Sequence, residues 1–289
     1  MHIVMGASGK VGRSIVDCLI QQGQQVKAVV RHPEKTELFE KSPHLSFAVA
    51  DAFDLSSLVQ AFDGGNTVFL LTPESGESND IIGDTAKIIE HYKSAMDSSK
   101  IKRVVGLSSM GAQHSAGTGN LRMSYLLEHG FENMGLHKIF VRPSYYYSNW
   151  LNFVSLAREQ KILPSFFPID LKIPMSSPYE VAEFIANIMA DDTSKEGVYE
   201  LQGPKWYSTQ DIAIAFSEVL GHEVLPQHIP PAEWWSTIKE FGFTDDATRN
   251  FVEMTQAVVD GKAQPQNGTI QVPLKVAFRT YLASQVFNE

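Results

Sequence analysis

The sequence has a single cysteine among 289 residues, Cys18, in the run SIVDCLIQ. One thiol cannot form an internal disulfide or a cysteine-based metal cluster. Its apolar neighbours predict packing on a helix, not a nucleophile. No apolar run reaches the ~20 residues a membrane helix needs. The first residues lack the charged and long apolar segments of a signal peptide, so a protein that starts at Met1 and works in the cytoplasm, away from membranes, is expected. Basic charge is scarce: 24 Lys and Arg stand against 33 Asp and Glu, a formal net charge of −9. That argues against direct nucleic-acid binding, which needs a basic face to displace counterions from phosphates. The nine histidines show no HExxH or other zinc spacing, and no metal site is expected. GxSxG and Walker-type loops are absent as well.

What is present is an ordinary globular composition, 43% hydrophobic and 20% charged. Apolar strands at 2–5, 25–31, 45–50, 66–71, 102–107 and 136–142 alternate with helix-length segments. Residues 10–22 place Ile15, Val16, Leu19 and Ile20 on one helical face. PEKTELFE starts a helix with Pro33 in its first turn. Asp54 is placed to cap LSSLVQAF. Residues 79–98 carry the stripe Ile81, Thr85, Ile88, Ile89 and Tyr92, and a further helix is read over 121–133. The middle strands are nearly continuous Val, Ile, Leu and Phe, the pattern of a parallel sheet covered on both faces. Five or six βα units in series predict an α/β fold: a Rossmann-type doubly wound parallel sheet in the order 3-2-1-4-5-6.

After residue 150 the rhythm changes. Pro164, Pro168, Pro174 and Pro178 cluster, followed by the helix YEVAEFIANIMA and a short strand, GVYELQG. The rest reads mainly as helix, with Trp234 and Trp235 near a helix start, as core or partner surface. The expected division is a dinucleotide-binding domain over 1–150 and a smaller, mainly helical substrate or lid domain over 151–289, with part of 173–203 returning to the sheet. GAQHSAGTGN (111–120) reads as a flexible loop by composition.

In MGASGKVG the glycines Gly6, Gly9 and Gly12 sit three apart, after a strand and at the start of a helix. In that context the first permits a tight turn, the second lets backbone approach a pyrophosphate, and the third lets helix and strand pack closely. The helix start offers N–H groups and a partial positive charge; Ser8 adds a hydroxyl, and Lys10 or Arg13 a cation. The spacing is G-x-x-G-x-x-G, not the commoner G-x-G-x-x-G, so the surrounding βαβ context carries the reading. The cofactor set at this turn is Gly6, Ser8, Gly9, Lys10, Val11 and Gly12. An NAD binder usually ends its second strand in Asp or Glu for the ribose 2′-hydroxyl. Here Arg31 stands there, 19 residues past Gly12, with Lys35 nearby. A guanidinium matches a 2′-phosphate, which favours NADP(H) over NAD(H). Asp51, ending the third strand, is placed to accept from an adenine amino group. Thr72 and Pro73 end the fourth strand, where such a sheet presents its crevice. Each of these three is equally placed to cap a loop.

MGASGKVG, VVRHPEK, VADAFDLSSLVQAF, KRVVGLSSMGA, VRPSYYYSNW, SPYEVAEFIANIM and LQGPKWYSTQDIAIAFSEVLGHEV together resemble the NmrA-like, atypical short-chain dehydrogenase/reductases over nearly the whole chain. The R-P-x-x-Y-x-x-N stretch makes the resemblance more specific than the glycine loop alone. It implies a Rossmann domain with a smaller C-terminal domain, and usually NADP(H). Some members reduce quinones or other small molecules; others bind the dinucleotide as redox sensors or regulators of a protein partner. It also implies cofactor contacts at Gly6, Ser8, Gly9, Gly12, Arg31, Asp51 and Thr72. Pro143, Tyr146 and Asn149 would lie near the nicotinamide and the substrate cleft.

A typical short-chain reductase carries Tyr-x-x-x-Lys on the helix after the fifth strand, with a serine at that strand's end; spacing four puts both on one helix face. Ser108 and Ser109 are present, and Tyr125 and His129 have the spacing, but the lysine is missing. A histidine there is a weaker ribose donor or a proton relay. The favoured reading packs Tyr125 in the core and leaves His129 on the surface, because proton transfer needs both members. The missing lysine argues against an epimerase or dehydratase but not against hydride transfer to a quinone. Tyr145, Tyr146 and Tyr147 cannot all face one way, and one or two are read as lining an aromatic slot. His114 is read as a surface group. The candidate catalytic set is Ser109, Tyr125, His129 and Tyr146, with Tyr146 and Asn149 as substrate contacts. The function expected is NADPH-dependent hydride transfer to a small planar quinone or carbonyl. The alternative is an NADP(H)-binding redox sensor whose helical half docks a partner. A protein partner or a homo-oligomer is left open.

Overall fold

Strands form where Val, Ile, Leu and Phe run together, and helices where apolar residues recur every three or four positions. The structure, a computed structural model, describes residues 1–287. Its first half runs β1 (His2–Val4), α1 (Lys10–Gln21), β2 (Val26–Val30), a 3₁₀ turn (Pro33–Leu38), β3 (Leu45–Val49), α2 (Leu55–Phe62), β4 (Thr67–Leu71), α3 (Ile81–Asp97), β5 (Arg103–Leu107), α4 (Leu121–His129) and β6 (His137–Pro143). The second half adds β7 (Tyr145–Tyr146), a 3₁₀ stretch (Tyr147–Phe153), α5 (Val154–Gln160), β8 (Ile162–Ser165), β9 (Ile173–Ser176), α6 (Pro178–Ala190) and β10 (Gly197–Gln202). It ends with β11 (Trp206–Tyr207), α7 (Thr209–Leu220), β12 (Leu225–His228), α8 (Pro231–Glu240), α9 (Asp245–Val259), β13 (Ile270–Pro273) and α10 (Phe278–Val286).

Eight parallel strands make one sheet, in the order β13-β10-β6-β5-β4-β1-β2-β3. The 3-2-1-4-5-6 order is therefore present, extended by two strands from the second half. Between these strands α1 packs along α6 on one face of the sheet, and α2, α3 and α4 cover the other. Cys18 leans on the α1–α6 core, and burial pushes its thiol up. A separate core gathers Tyr147, Trp150, Phe216, Phe278 and Tyr281 in the second half. There β11-β9-β7 and β12-β8 form two small sheets. The Ser208–Asp211 capping box starts α7. Trp234 is buried and donates to the Ile229 carbonyl at 2.8 Å, while Trp235 stays exposed.

Three local readings differ from the structure. Residues 33–38 form a 3₁₀ turn, not an α-helix: none of them is buried, so no apolar face holds a longer helix in place. α4 stops at His129 because the chain then tightens into turns that carry Phe131 into the core. The loop over 111–120 is packed at both ends, with Ser115, Ala116 and Gly117 exposed between them. Thr118, Gly119 and Asn120 are buried, Asn120 N donates to the Asn250 carbonyl of α9, and Lys262 Nζ donates to the Gly117 carbonyl. Gly119 has φ +51°, and a Cβ there would lie 1.9 Å from Asn250 O. Glycine is used at that point for close approach, not for freedom.

Candidate cofactor site

β1 pairs with β2 on one side and β4 on the other, so the strand order reverses beside it. Such a reversal opens a crevice at the carboxyl ends of the strands, and the Gly6–Gly12 loop occupies it. The loop is pinned on both sides: Ala7 N donates to Val29 O and Met5 N to Phe69 O, each at 3.1 Å. Gly6 turns the chain at φ +61°. A Cβ on Gly12 would sit 2.3 Å from Gly6 O, so only glycine lets α1 start this close to the strand. Gly9 is the exposed N-cap of α1. No side chain caps the helix, and its first turn holds no acidic residue. The positive end of α1 is left for an outside anion. Ser8 and Val11 are half-buried beside it, and Lys10 is exposed.

Arg31 follows β2 on the same edge of the sheet, and Lys35 lies one turn further; both are exposed. Neither side chain makes a hydrogen bond or ion pair among the described residues. Asp51 follows β3; its Oδ1 accepts from Phe53 N at 2.9 Å. Thr72 and Pro73, half-buried, follow β4. Glu74 comes next: its side chain reaches solvent but is crowded by protein, and burial raises its carboxyl above the usual range. The sequence reading passed over it, although its place beside Pro73 on the same edge was a usable signal. These features fit a phosphorylated dinucleotide: a glycine turn against which no side chain can stand, an uncapped helix start, and an unpaired guanidinium at the next strand end.

The far end of the edge, after β5 and β6, is built differently. Arg142 of β6 donates to Glu128 of α4 through both Nε (2.7 Å) and Nη2 (2.6 Å), and through Nη1 to Glu200 of β10 at 3.2 Å. Ser108 Oγ donates to Glu128 at 2.5 Å. Glu200 also accepts from Gln266 N, Thr269 Oγ1 and Gln271 Nε2. The side chains of Arg142, Glu128 and Glu200 are 5%, 6% and 0% exposed. Burial lowers the Arg142 pKa, but Glu128 and then Glu200 outweigh it and hold the guanidinium above its ordinary value. This network joins four elements, α4, β6, β10 and, through Gln271, β13, to Ser108 just after β5.

Around that end stand the other candidates. Pro143 is buried, and its carbonyl accepts from Met110 N. Ser109 Oγ donates to the Met110 carbonyl at 3.2 Å. Tyr125 and His129 engage each other: their rings stack at 3.9 Å, His129 Nδ1 lies 2.8 Å from Tyr125 O, and Nε2 lies 3.7 Å from Glu132. The buried positions of α4 include Ser124 and Glu128, one residue before each, and it is Glu128 that reaches Ser108. The three tyrosines alternate. Tyr147 is fully buried and donates to the Val276 carbonyl. Tyr145 packs edge-on against Phe167 and Trp150; burial, opposed by a hydrogen bond with Asn149, pushes it up to about 12. Tyr146 turns the other way, onto the α1–α6 core, and its hydroxyl is buried with no partner among the described residues. Burial raises its pKa. His114, half-buried, lies in the 111–120 loop.

Among the described residues, no three or more His, Cys, Asp or Glu side chains are grouped to hold a metal ion. No helix among them is long and apolar enough to cross a membrane.

The sequence model of the NmrA-like family matches residues 2–277. Quinone oxidoreductase 2 of Escherichia coli K12 is 22% identical over 247 residues, covering 85% of this chain and 83% of that protein. Among solved structures, the NADPH complex of the NADPH-dependent quinone oxidoreductase QOR2 from E. coli aligns with a TM-score of 0.80 at 20% identity over 100% of both chains. The triphenylmethane reductase of Citrobacter sp. complexed with NADP(H) aligns with a TM-score of 0.77 at 16% identity, covering 98% of this chain and 99% of that one. At these identities the structural likeness establishes the fold.

Proposed function

Because the chain belongs to the NmrA-like family, we propose that it is an NADPH-dependent oxidoreductase that transfers hydride to a small, planar quinone or carbonyl compound. The observation that carries the reading is the pairing, on one sheet edge, of an uncapped helix start at Gly9 with the unpaired Arg31 guanidinium. The similar quinone and triphenylmethane reductases support it. In this reading residues 1–150 hold the dinucleotide and 151–289 supply the substrate side.

The backbone of Gly6, Ser8, Gly9, Lys10, Val11 and Gly12 binds the diphosphate. Arg31, helped by Lys35, binds the 2′-phosphate, which makes NADP(H) the preferred cofactor. Asp51 takes the adenine amino group, and Thr72, Pro73 and Pro143 flank the nicotinamide half. A reduced nicotinamide bound there supplies a hydride. Tyr146 keeps its proton at neutral pH, as an ordinary tyrosine does, and burial raises its pKa further. Its unpartnered hydroxyl donates to a substrate oxygen and holds the ring in place. Asn149 and Ser109 add polar contacts. Tyr125 and His129 are occupied with each other and are given no step.

The test is NADPH consumption with a panel of quinones and aldehydes. Turnover is expected, falling at least tenfold in Tyr146→Phe, where a hydrogen bond made in the transition state is lost. Tight NADPH binding with no reduction of any acceptor would instead support a redox sensor.

A further inference from the structure

At the amino ends of the strands, on the edge opposite the glycine loop, four polar residues stand in one row. His2, Thr67, Arg103 and His137 are the first residues of β1, β4, β5 and β6, and the register pairs each with the next. Side chains alternate between the faces of a sheet with a period of two. Two residues further on, Val4, Phe69, Val105 and Ile139 all lie in the core under α1 and α6, so the row shares that face.

Arg103 is 5% exposed, and its charge is poorly matched. Nη1 donates to the Asp191 carbonyl at the end of α6 at 2.8 Å, and a helix C-terminus carries only about half a negative charge. The carboxylate within ion-pair reach among the described residues is that of Asp192, 3.7 Å from Nη1 and 92% exposed. Nε and Nη2, the two donors along one edge of the guanidinium, are buried with no partner among the described residues. Arg142 shows what that edge takes: its Nε and Nη2 both donate to the Glu128 carboxylate, at 2.7 and 2.6 Å. Burial lowers the Arg103 pKa, and Asp192 and Asp191 do not make up the loss, whereas Arg142 is held above its ordinary value.

On the neighbouring strand His137 Nε2 is also buried and unpartnered among the described residues. A neutral imidazole carries its one proton on either nitrogen, so Nε2 is available as a donor. Thr67, on the other side of Arg103, is buried and adds a hydroxyl. His2, beyond it, already meets Gln24 Oε1 through Nε2 at 3.2 Å. A buried cation is costly without a counter-charge, and a planar fork of two N–H groups matches the two oxygens of a carboxylate. The unpartnered atoms lie beneath the surface, which restricts the occupant to a small one.

We propose that Arg103, with His137 Nε2 beside it, binds a small carboxylate at the amino edge of the sheet. The site lies at the opposite ends of the strands from the crevice and does not rest on the cofactor reading.

The experiment titrates acetate into the full chain, reading heat and the ring-proton signals of His137 together, with acetamide as the neutral control. His137→Gln assigns the signals. One saturable site is expected for acetate, the His137 signals moving along the same curve, and none for acetamide. Arg103→Lys keeps the charge but not the fork and should weaken acetate about tenfold, the scale of one charge-assisted hydrogen bond. Asp192→Asn, at an exposed side chain, removes the competing carboxylate and should tighten acetate; it decides the matter even where Arg103→Lys does not fold. Arg31→Asp, at the other edge, should leave acetate binding unchanged. No saturable acetate binding, equal binding of acetamide, an affinity that falls with Arg31→Asp, or one unchanged in Asp192→Asn and in any folded Arg103→Lys would overturn the proposal.

Discussion

The two ends of the sheet's carboxyl edge treat charge in opposite ways. At the β1–β2 end, Arg31, Lys35 and Lys10 are exposed and unpaired among the described residues, and the helix start beside them has no side-chain cap. At the β5–β6–β10 end, Arg142, Glu128 and Glu200 are sealed from water and bonded to one another and to their neighbours. A buried ion pair is costly to desolvate and persists only when its partners are complete. An exposed, unpaired cation contributes little to folding. On the proposed reading, the difference separates the groups that build the scaffold from those left over for a ligand.

The contrast breaks most visibly at Arg142. Arg142→Ala strands two buried carboxylates and should cost about 3–5 kcal/mol in urea unfolding. A loss under ~1 kcal/mol would mean that the network is not holding the sheet. At the other end, Arg31→Asp should weaken NADPH by about a hundredfold, the scale of two charge-assisted hydrogen bonds, and NADH far less. Its unfolding midpoint should stay within ~0.5 kcal/mol of wild type, as for an exposed substitution. Equal loss of both coenzymes would remove Arg31 from the site.

Gly12→Ala lies between these cases. Its Cβ would meet the Gly6 carbonyl at 2.3 Å, so it should cost about 1–3 kcal/mol of stability and weaken NADPH as well, because the turn must shift. Stability lost without any change in NADPH affinity would make the turn purely structural. The smallest effect is expected far from both ends. Ser208→Ala removes the α7 cap and should cost about 1 kcal/mol with NADPH binding unchanged; altered binding would show that α7 is coupled to the crevice.

The ligand end is readable from sequence because its signals are local. The three glycines span seven residues, Arg31 stands at a strand end, and near-continuous apolar runs give the 3-2-1-4-5-6 strand order. The scaffold end is not readable in that way. Glu128 and Arg142 are 14 residues apart and Arg142 and Glu200 are 58 apart, and nothing in their own neighbourhoods marks them as partners. β13 escapes for a related reason: its four residues, IQVP, sit at an exposed sheet edge without an apolar run. The composition of 111–120 suggested mobility, whereas its glycine at 119 serves contact with α9, a partner about 130 residues away in the chain.

The claim on which the account turns is that the carboxyl edge around Gly6–Gly12 and Arg31 holds a 2′-phosphorylated pyridine dinucleotide. Isothermal titration of the wild-type protein with NADPH and with NADH tests it most directly. The account predicts one saturable site at which NADPH binds at least tenfold more tightly than NADH, the scale of a single charge-assisted hydrogen bond to the 2′-phosphate. No measurable heat with either coenzyme, or equal affinity for the two, would contradict it.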